Sequence, residues 1–235
     1  MLETRFPRPV GDVGNANSHA FPLARAVVRG VTARRAVRAR ADDALLRPFV
    51  AAGRRLVDRG AIGITTSCGF LAPFQRELAA ALPVPVAVSS LLQVPWVERL
   101  LAPGRRCGVI TIDASALGAA HLLAAGALAD TPVAGMPADG ELARTIFDDR
   151  ADLDWCAAGD ELVRAGLGLV RRHPEVGAIV LECTNLPPYR RRLAQALGLP
   201  VYDVGTLLDW FWSGLAAALP ASGVVGGASD GRGIR

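Results

Sequence analysis

No lysine occurs anywhere in the 235 residues. Without one, neither the internal Schiff base of a PLP enzyme nor the phosphate-gripping lysine of a Walker loop can be built. Histidine is scarce. His19, His121 and His173 stand far apart, with no HxxxH, CxxC or carboxylate–histidine grouping, so no metal site is expected. A Gly-x-Gly-x-x-Gly turn with its acidic partner is also missing, which argues against a dinucleotide. The expected enzyme therefore needs no cofactor. No apolar run reaches membrane-spanning length free of charge, Pro or Gly, and the N-terminus lacks a signal-peptide core. A soluble, cytoplasmic protein without membrane partners is expected, and its four cysteines read as free thiols. Arginine alone carries the positive balance of +4. Its densest groups, Arg34-Arg35 with Arg38 and Arg40, and Arg190-Arg191-Arg192, lack interleaved aromatics. They read as solvated helix faces rather than a nucleic-acid groove.

What is present is an alternation of strands and helices. The start, Arg5 to Asn15, is too rich in Gly and Pro for either. Strands are expected over Ala26–Val31, Ala61–Thr66, Val84–Val88, Cys107–Ile112, Thr131–Gly135, Ala178–Leu181 and Pro200–Tyr202. Helices are expected between them: Asp42–Arg59 with an N-cap at Asp42 or Asp43, then Phe70–Leu82, Ser90–Leu101 and Ser115–Ala125. Glu141–Phe147, Leu153–Arg172, Leu186–Leu197 and Thr206–Leu219 complete the set, with Trp210, Phe211 and Trp212 packing the core. This alternation implies an α/β fold of mainly parallel sheets covered on both faces. A break at Pro103-Gly104 divides residues 1–100 from 101–204, and residues 220–235 read as a frayed tail.

The most informative feature is a repeat. From Cys68 and Cys183 onward the chain matches itself at an offset of 115 residues: Arg76 with Arg191, Leu78-Ala79 with Leu193-Ala194, Pro85-Val86 with Pro200-Val201. Each copy is an apolar strand, a cysteine-bearing turn and a helix. Ligands on parallel sheets bind beyond the strands' carboxyl ends, where both cysteines lie. Two pseudo-symmetric α/β domains would face these thiols across an interdomain cleft. A thiol at a helix start sees oriented N–H groups that favour the thiolate and attract a substrate carboxylate. Opposed thiols suit removal of an α-proton from one face and its return to the other. Thr66, Ser67, Thr184 and Asn185 are donors for the carbanion that results.

Thr66-Ser67-Cys68-Gly69, Leu181-Glu182-Cys183-Thr184-Asn185-Leu186-Pro187 and the loop Asp12-Val13-Gly14-Asn15 together resemble the aspartate/glutamate racemase superfamily, including its hydantoin racemase-like members. The resemblance implies a cofactor-independent racemase or epimerase of an amino acid or derivative, with Cys68 and Cys183 catalytic. It also implies that the helix over 205–219 returns to the first domain, and that Asp12 and Asn15 hold the substrate, Asp12 by an ammonium group. Gly69-Phe70 stand where that family usually has Asn-Thr, and Thr184-Asn185 where it often has Thr-His, so the polar contacts to substrate differ. Only Met1-Leu2 stand for an apolar first strand, so the start reads as truncated or mis-assigned. On the same scaffold, maleate isomerases, arylmalonate decarboxylases and a non-catalytic carboxylate-binding homologue are alternatives.

Gly69 and Thr111 complete the expected substrate-binding set. Asp113 and Ser115 read as caps, Cys107 and Cys156 as structural cysteines, and Glu182 as an orienting neighbour of its thiol. Arg5 and Arg8 read as surface arginines. The expected partner is a small carboxylate; a homodimer is left open.

Overall fold

The computed structural model describes residues 1–38 and 43–219. The sites expected at Arg40 and Asp42 and the tail 220–235 lie outside them.

The elements run in chain order as α1 (Ala33–Val37), α2 (Asp43–Val57), β1 (Ile64–Thr65), α3 (Gln75–Ala81), β2 (Val86–Ala87) and α4 (Val94–Leu100). There follow β3 (Arg106–Thr111), α5 (Ala119–Ala124), β4 (Val133–Gly135), α6 (Glu141–Phe147), α7 (Trp155–Arg172), β5 (Val176–Leu181), α8 (Arg190–Leu197), β6 (Val201–Tyr202) and α9 (Val204–Ala216). Strands β1 and β2 form one sheet; the other has the order β4-β3-β5-β6. Every pairing between these strands is parallel. The chain is thus an α/β protein of mainly parallel sheet. All six residues of β5 are buried, because helices cover both faces of its sheet. Burying each of its large apolar side chains contributes about 1.5–3 kcal/mol.

The sequence repeat is visible in the hydrogen-bonded register. Ile64 pairs with Val86 as Ile179 pairs with Val201, and Thr65 with Ala87 as Val180 with Tyr202. Both cysteine turns lead into short 3-10 segments, Gly69–Phe74 and Pro187–Tyr189, that pass into α3 and α8. Prolines explain why these stretches begin as 3-10 rather than α-helix. Pro73 has no N–H to give, and Pro187 sits at a first turn where none is needed.

The helix after each repeat crosses over. α4 packs on β3 and β5, while α9 lies against Gly63, where an added Cβ would fall 2.4 Å from Leu215 Cδ1. Gln93 joins the crossing chains, donating to the Asp203 carbonyl (2.8 Å) and accepting from Thr206 Oγ1 (2.8 Å). A capping box of Asp203 and Thr206 starts α9.

Three expectations need correction. The strand over Ala26–Val31 is only an isolated bridge, Leu2 to Val28; the chain turns at Gly30, whose φ of 73° suits glycine. Trp210 is 56% exposed and packs edge-to-face on Trp96, while Phe211 and Trp212 are half-buried. Phe211 packs on the small core of Val13, Val204 and Leu208, and Trp212 stacks on Phe21. Only Trp210 departs from the expected core, because α9 turns one face outward. Cys107 is buried in β3, but Cys156 is exposed at the start of α7.

Candidate active site

Burial at two strand ends builds the site. Cys68 and Cys183, each 7% exposed, line one small cavity with Leu2, Phe6, Arg8 and Phe70. Ser67, Gly69, Glu182, Thr184 and Asn185 line it too. The structure thus brings both thiols together with four of the eight expected binding residues, Ser67, Gly69, Thr184 and Asn185. The cavity holds about 20 Å³, room for about one water molecule. A larger cavity of about 410 Å³ lies between α9 and residues 59–65; it is mostly apolar, touches neither thiol and contains no acid–base group besides Arg59.

The turns are tied to each other and to the N-terminal loop. Thr184 Oγ1 donates to the Ser67 carbonyl (2.9 Å), and Ser90 Oγ to that of Leu181 (2.6 Å). Asn185 Nδ2 donates to Asp12 Oδ2 (2.6 Å), while Arg8 Nη1 (2.9 Å) and the Gly14 N–H (2.6 Å) donate to Asp12 Oδ1. Asp12 is 1% exposed and fully engaged, a keystone between loop and second turn. That arrangement leaves its carboxylate no free oxygen for a substrate ammonium group. Asn15 gives Nδ2 to the Arg8 carbonyl (2.8 Å) and takes the Asn17 N–H (2.8 Å); it shapes the loop and does not line the cavity. Thr66 bonds to the carbonyls of Cys68 (3.0 Å) and Val88 (2.7 Å), behind the first turn. Ser67 Oγ accepts the Leu2 N–H (3.1 Å). Asp113 Oδ1 accepts from Ser115 within a turn. Helix α5 starts only at Ala119, behind Gly118, so neither residue is the cap that was expected.

Burial pushes the Cys68 thiol up to about 12, with the Glu182 carboxylate next, against the N–H groups of Phe70 and Leu71. Burial raises Cys183 well above the ordinary thiol range, again with Glu182 next, and only the Asn185 N–H opposes it by hydrogen bonding. Cys183 Sγ also lies 3.7 Å from Asn185 Oδ1. Glu182 is itself 0% exposed, and burial raises it to about 7, opposed by the hydroxyl of Thr111. Thr111 Oγ1 donates to Glu182 Oε2 at 2.6 Å, so Thr111 serves Glu182 rather than the cavity. Among the described residues, Glu182 Oε1 has no hydrogen-bond partner.

Two contributors were undervalued by sequence reasoning. Arg8 is not a surface arginine: its side chain is 14% exposed, lies over the Phe6 ring at 4.7 Å and lines the cavity. Its spacing of four residues from Asp12 was the available signal. Arg5 does sit on the surface, paired with Asp149. Glu182 does not point away from the site, and Gly69 is the trace of it. A Cβ on Gly69 would fall 2.2 Å from Glu182 Oε1 and 2.4 Å from its carbonyl oxygen.

No family model matches the chain. Among solved structures, a sulfate-associated mutant of arylmalonate decarboxylase superposes with a TM-score of 0.54 at 21% identity, over 78% of this chain and 79% of that one. Glutamate racemase from Aquifex pyrophilus gives 0.50 at 20% identity, over 78% and 70%. The fold is the one these enzymes share. At such identities the likeness speaks for architecture alone. Curated relatives carry another name. A dimethylsulfoniopropionate lyase from Durusdinium sp. clade D is 28% identical over 87% of this chain and 69% of its own length. Dimethylsulfoniopropionate lyases 5 and 7 of Emiliania huxleyi (strain CCMP1516) are 28% and 27% identical over 95% and 91% of this chain. The chain spans only 46% and 65% of those two proteins.

These relatives overturn the expectation of an amino-acid racemase or epimerase. They are named as lyases, not isomerases. The physical reason is general: a thiol base can serve an isomerase or a lyase, because the fate of a carbanion depends on what the adjacent carbon can lose. Among the described residues, no helix is long and apolar enough to cross a membrane.

Proposed function

We propose that this chain is a carbon–sulfur lyase that eliminates dimethyl sulfide from dimethylsulfoniopropionate or a close β-sulfonio carboxylate. The observation that carries the reading is the shared cavity: two thiols and a carboxyl group enclose it, in a chain whose curated relatives bear that substrate's name. One thiolate removes a hydrogen from the carbon next to the carboxylate. The C–H electron pair becomes the new C=C bond, and the Cβ–S pair leaves with neutral dimethyl sulfide, giving acrylate and one proton. A racemase must work on both faces of the carbon, whereas elimination needs one base. The second thiol then forms the opposite wall.

The walls suit a zwitterion with its charges at opposite ends. The Arg8 guanidinium and the N–H groups of Phe70 and Asn185 are donors for the carboxylate and the enediolate that develops from it. Phe6 and Phe70 offer aromatic surface to the sulfonium. A bound cation also lowers the cost of a thiolate in a site that otherwise resists one. The cavity must widen to admit such a molecule, and the adjustment falls to the Cys68 turn on its two-residue strand.

Headspace gas chromatography of the purified protein with dimethylsulfoniopropionate tests this. Dimethyl sulfide and acrylate should appear in equal amounts, and both should collapse in Cys68→Ala and fall less far in Cys183→Ala. No dimethyl sulfide from well-folded wild type, or undiminished release from both variants, would sink the reading.

A further inference from the structure

The site holds a third acid–base group that the two-thiol picture leaves idle. Glu182 precedes Cys183 in sequence, yet its carboxyl group lies against Gly69, the neighbour of Cys68. It therefore bridges the two cysteine turns from behind. One oxygen is held by Thr111; the other is wholly buried and has no hydrogen-bond partner among the described residues. A buried, unbonded carboxylate oxygen is costly unless it has work to do.

We propose that Glu182 is a positioning residue that holds the Cys68 proton during turnover. This rests on the lyase reading. As substrate enters, the Cys68 S–H bond breaks and its proton passes to Oε1 of Glu182, forming O–H and leaving a thiolate. The thiolate takes the α-hydrogen and becomes a thiol again. When acrylate and dimethyl sulfide have left, the carboxylic acid gives its proton to water, which restores the resting site and accounts for the one proton released.

Simple repulsion supports the same division of labour. The cavity is too dry to carry a thiolate beside a carboxylate, since the Glu182 charge raises both thiols. The groups that face this cluster are Cys68 on the first turn and Cys183 on the second. Asp12 and Arg8 come from the N-terminal loop, the Met1 ammonium acts on Cys68, and the Thr111 hydroxyl comes from β3. Cys68 is the easier thiol to ionise, because two N–H groups face it against one at Cys183.

Glu182→Gln decides the matter with two readouts. The first is site-resolved alkylation of Cys68 by iodoacetamide without substrate, followed by mass spectrometry. The second is dimethyl sulfide release. Removing the negative charge should raise Cys68 alkylation at neutral pH by about tenfold, the effect of roughly one unit in thiol acidity. Turnover should nevertheless fall by about 100-fold, because the proton has no acceptor. Both rising together would make Glu182 a mere repeller. Turnover lost with alkylation unchanged would make it the base itself or a purely structural group. Either result overturns the proposal. Thr111→Val guards against misfolding of the first variant: losing that hydroxyl should move the acidic limb of the rate profile upward from about 7, and an unmoved limb counts against the proposal. The alkylation arm needs no substrate. If wild type releases no dimethyl sulfide the lyase reading fails by itself, while an unchanged Cys68 rate still overturns the role of Glu182.

Discussion

The two cysteine turns share a plan and differ in what stands behind the thiol. Behind Cys183, the six-residue strand β5 runs wholly buried through the centre of a four-stranded sheet, and Asn185 ties the turn to Asp12. Behind Cys68, the strand β1 is two residues long and has one partner. Its turn is held largely by side chains, among them Thr66 under it and Thr184 reaching across from the other copy. The second turn is the rigid wall and the first is the adaptable one. In a cavity with room for about one water, that asymmetry says which wall moves for a substrate.

The largest expected effect tests whether the turns are chemically alike. Cys68→Ala should lower dimethyl sulfide release by about 1,000-fold, the scale of losing a general base. Cys183→Ala should cost less if it is only the opposite wall. Single-turnover assays of both variants check this, and equal losses would restore a symmetric site.

Glu182 should also separate the halves through pH. Its carboxyl ionises near 7 when folded, against an ordinary 4.5. Between those values the folded state binds more protons than the unfolded chain, so its contribution to stability falls as pH rises through that window. The loss amounts to about 3 kcal/mol at most. Glu182→Gln carries no such penalty. Its melting temperature should therefore exceed that of wild type above pH 7 and converge with it toward pH 4.5. A gap independent of pH would mean that the carboxyl is ionised throughout. The variant expected to be the more stable is also the one expected to turn over slowly, as happens where a site keeps an uncomfortable group for its chemistry.

The alternation of elements was legible because apolar runs and turn residues punctuate it. The repeat was legible because its offset survives in the strand register at Ile64–Val86 and Ile179–Val201. Strand lengths in the first half were not, since Ala61–Thr66 and Val84–Val88 have the composition of strands but only one neighbour to pair with. Arg8 and Glu182 escaped because their roles depend on what folds over them. No local pattern shows that the N-terminal loop covers the cavity, or that a side chain beside Cys183 reaches the turn of Cys68. The reaction was misread for a deeper reason: the residues that make a carbanion are the same whether it is reprotonated or expels a leaving group.

Positions 69 and 184 are equivalent in the repeat and sharpen the contrast between the halves. Gly69→Ala puts a methyl group 2.4 Å from the Glu182 carbonyl oxygen, backbone that cannot swing aside. It should destabilise by about 1–3 kcal/mol through overpacking. Thr184→Ala removes one hydrogen bond, the 2.9 Å contact to the Ser67 carbonyl, and should cost about 1 kcal/mol. Urea melts rank the two.

The smallest effect concerns the loop that the resemblance assigned to substrate. Asn15 spends both ends of its amide on neighbouring backbone, capping the Ala16–Ser18 turn. Asn15→Ala should cost about 1 kcal/mol of stability and leave KM for dimethylsulfoniopropionate unchanged. Its neighbour in the loop behaves differently. Asp12→Asn keeps the shape of the side chain but weakens its grip on Arg8 and Asn185, both of which line the cavity. KM should rise there even where the melting temperature barely moves. A KM that responds to Asn15 and not to Asp12 would mean that the substrate meets the loop at its outer edge rather than through the second cysteine turn.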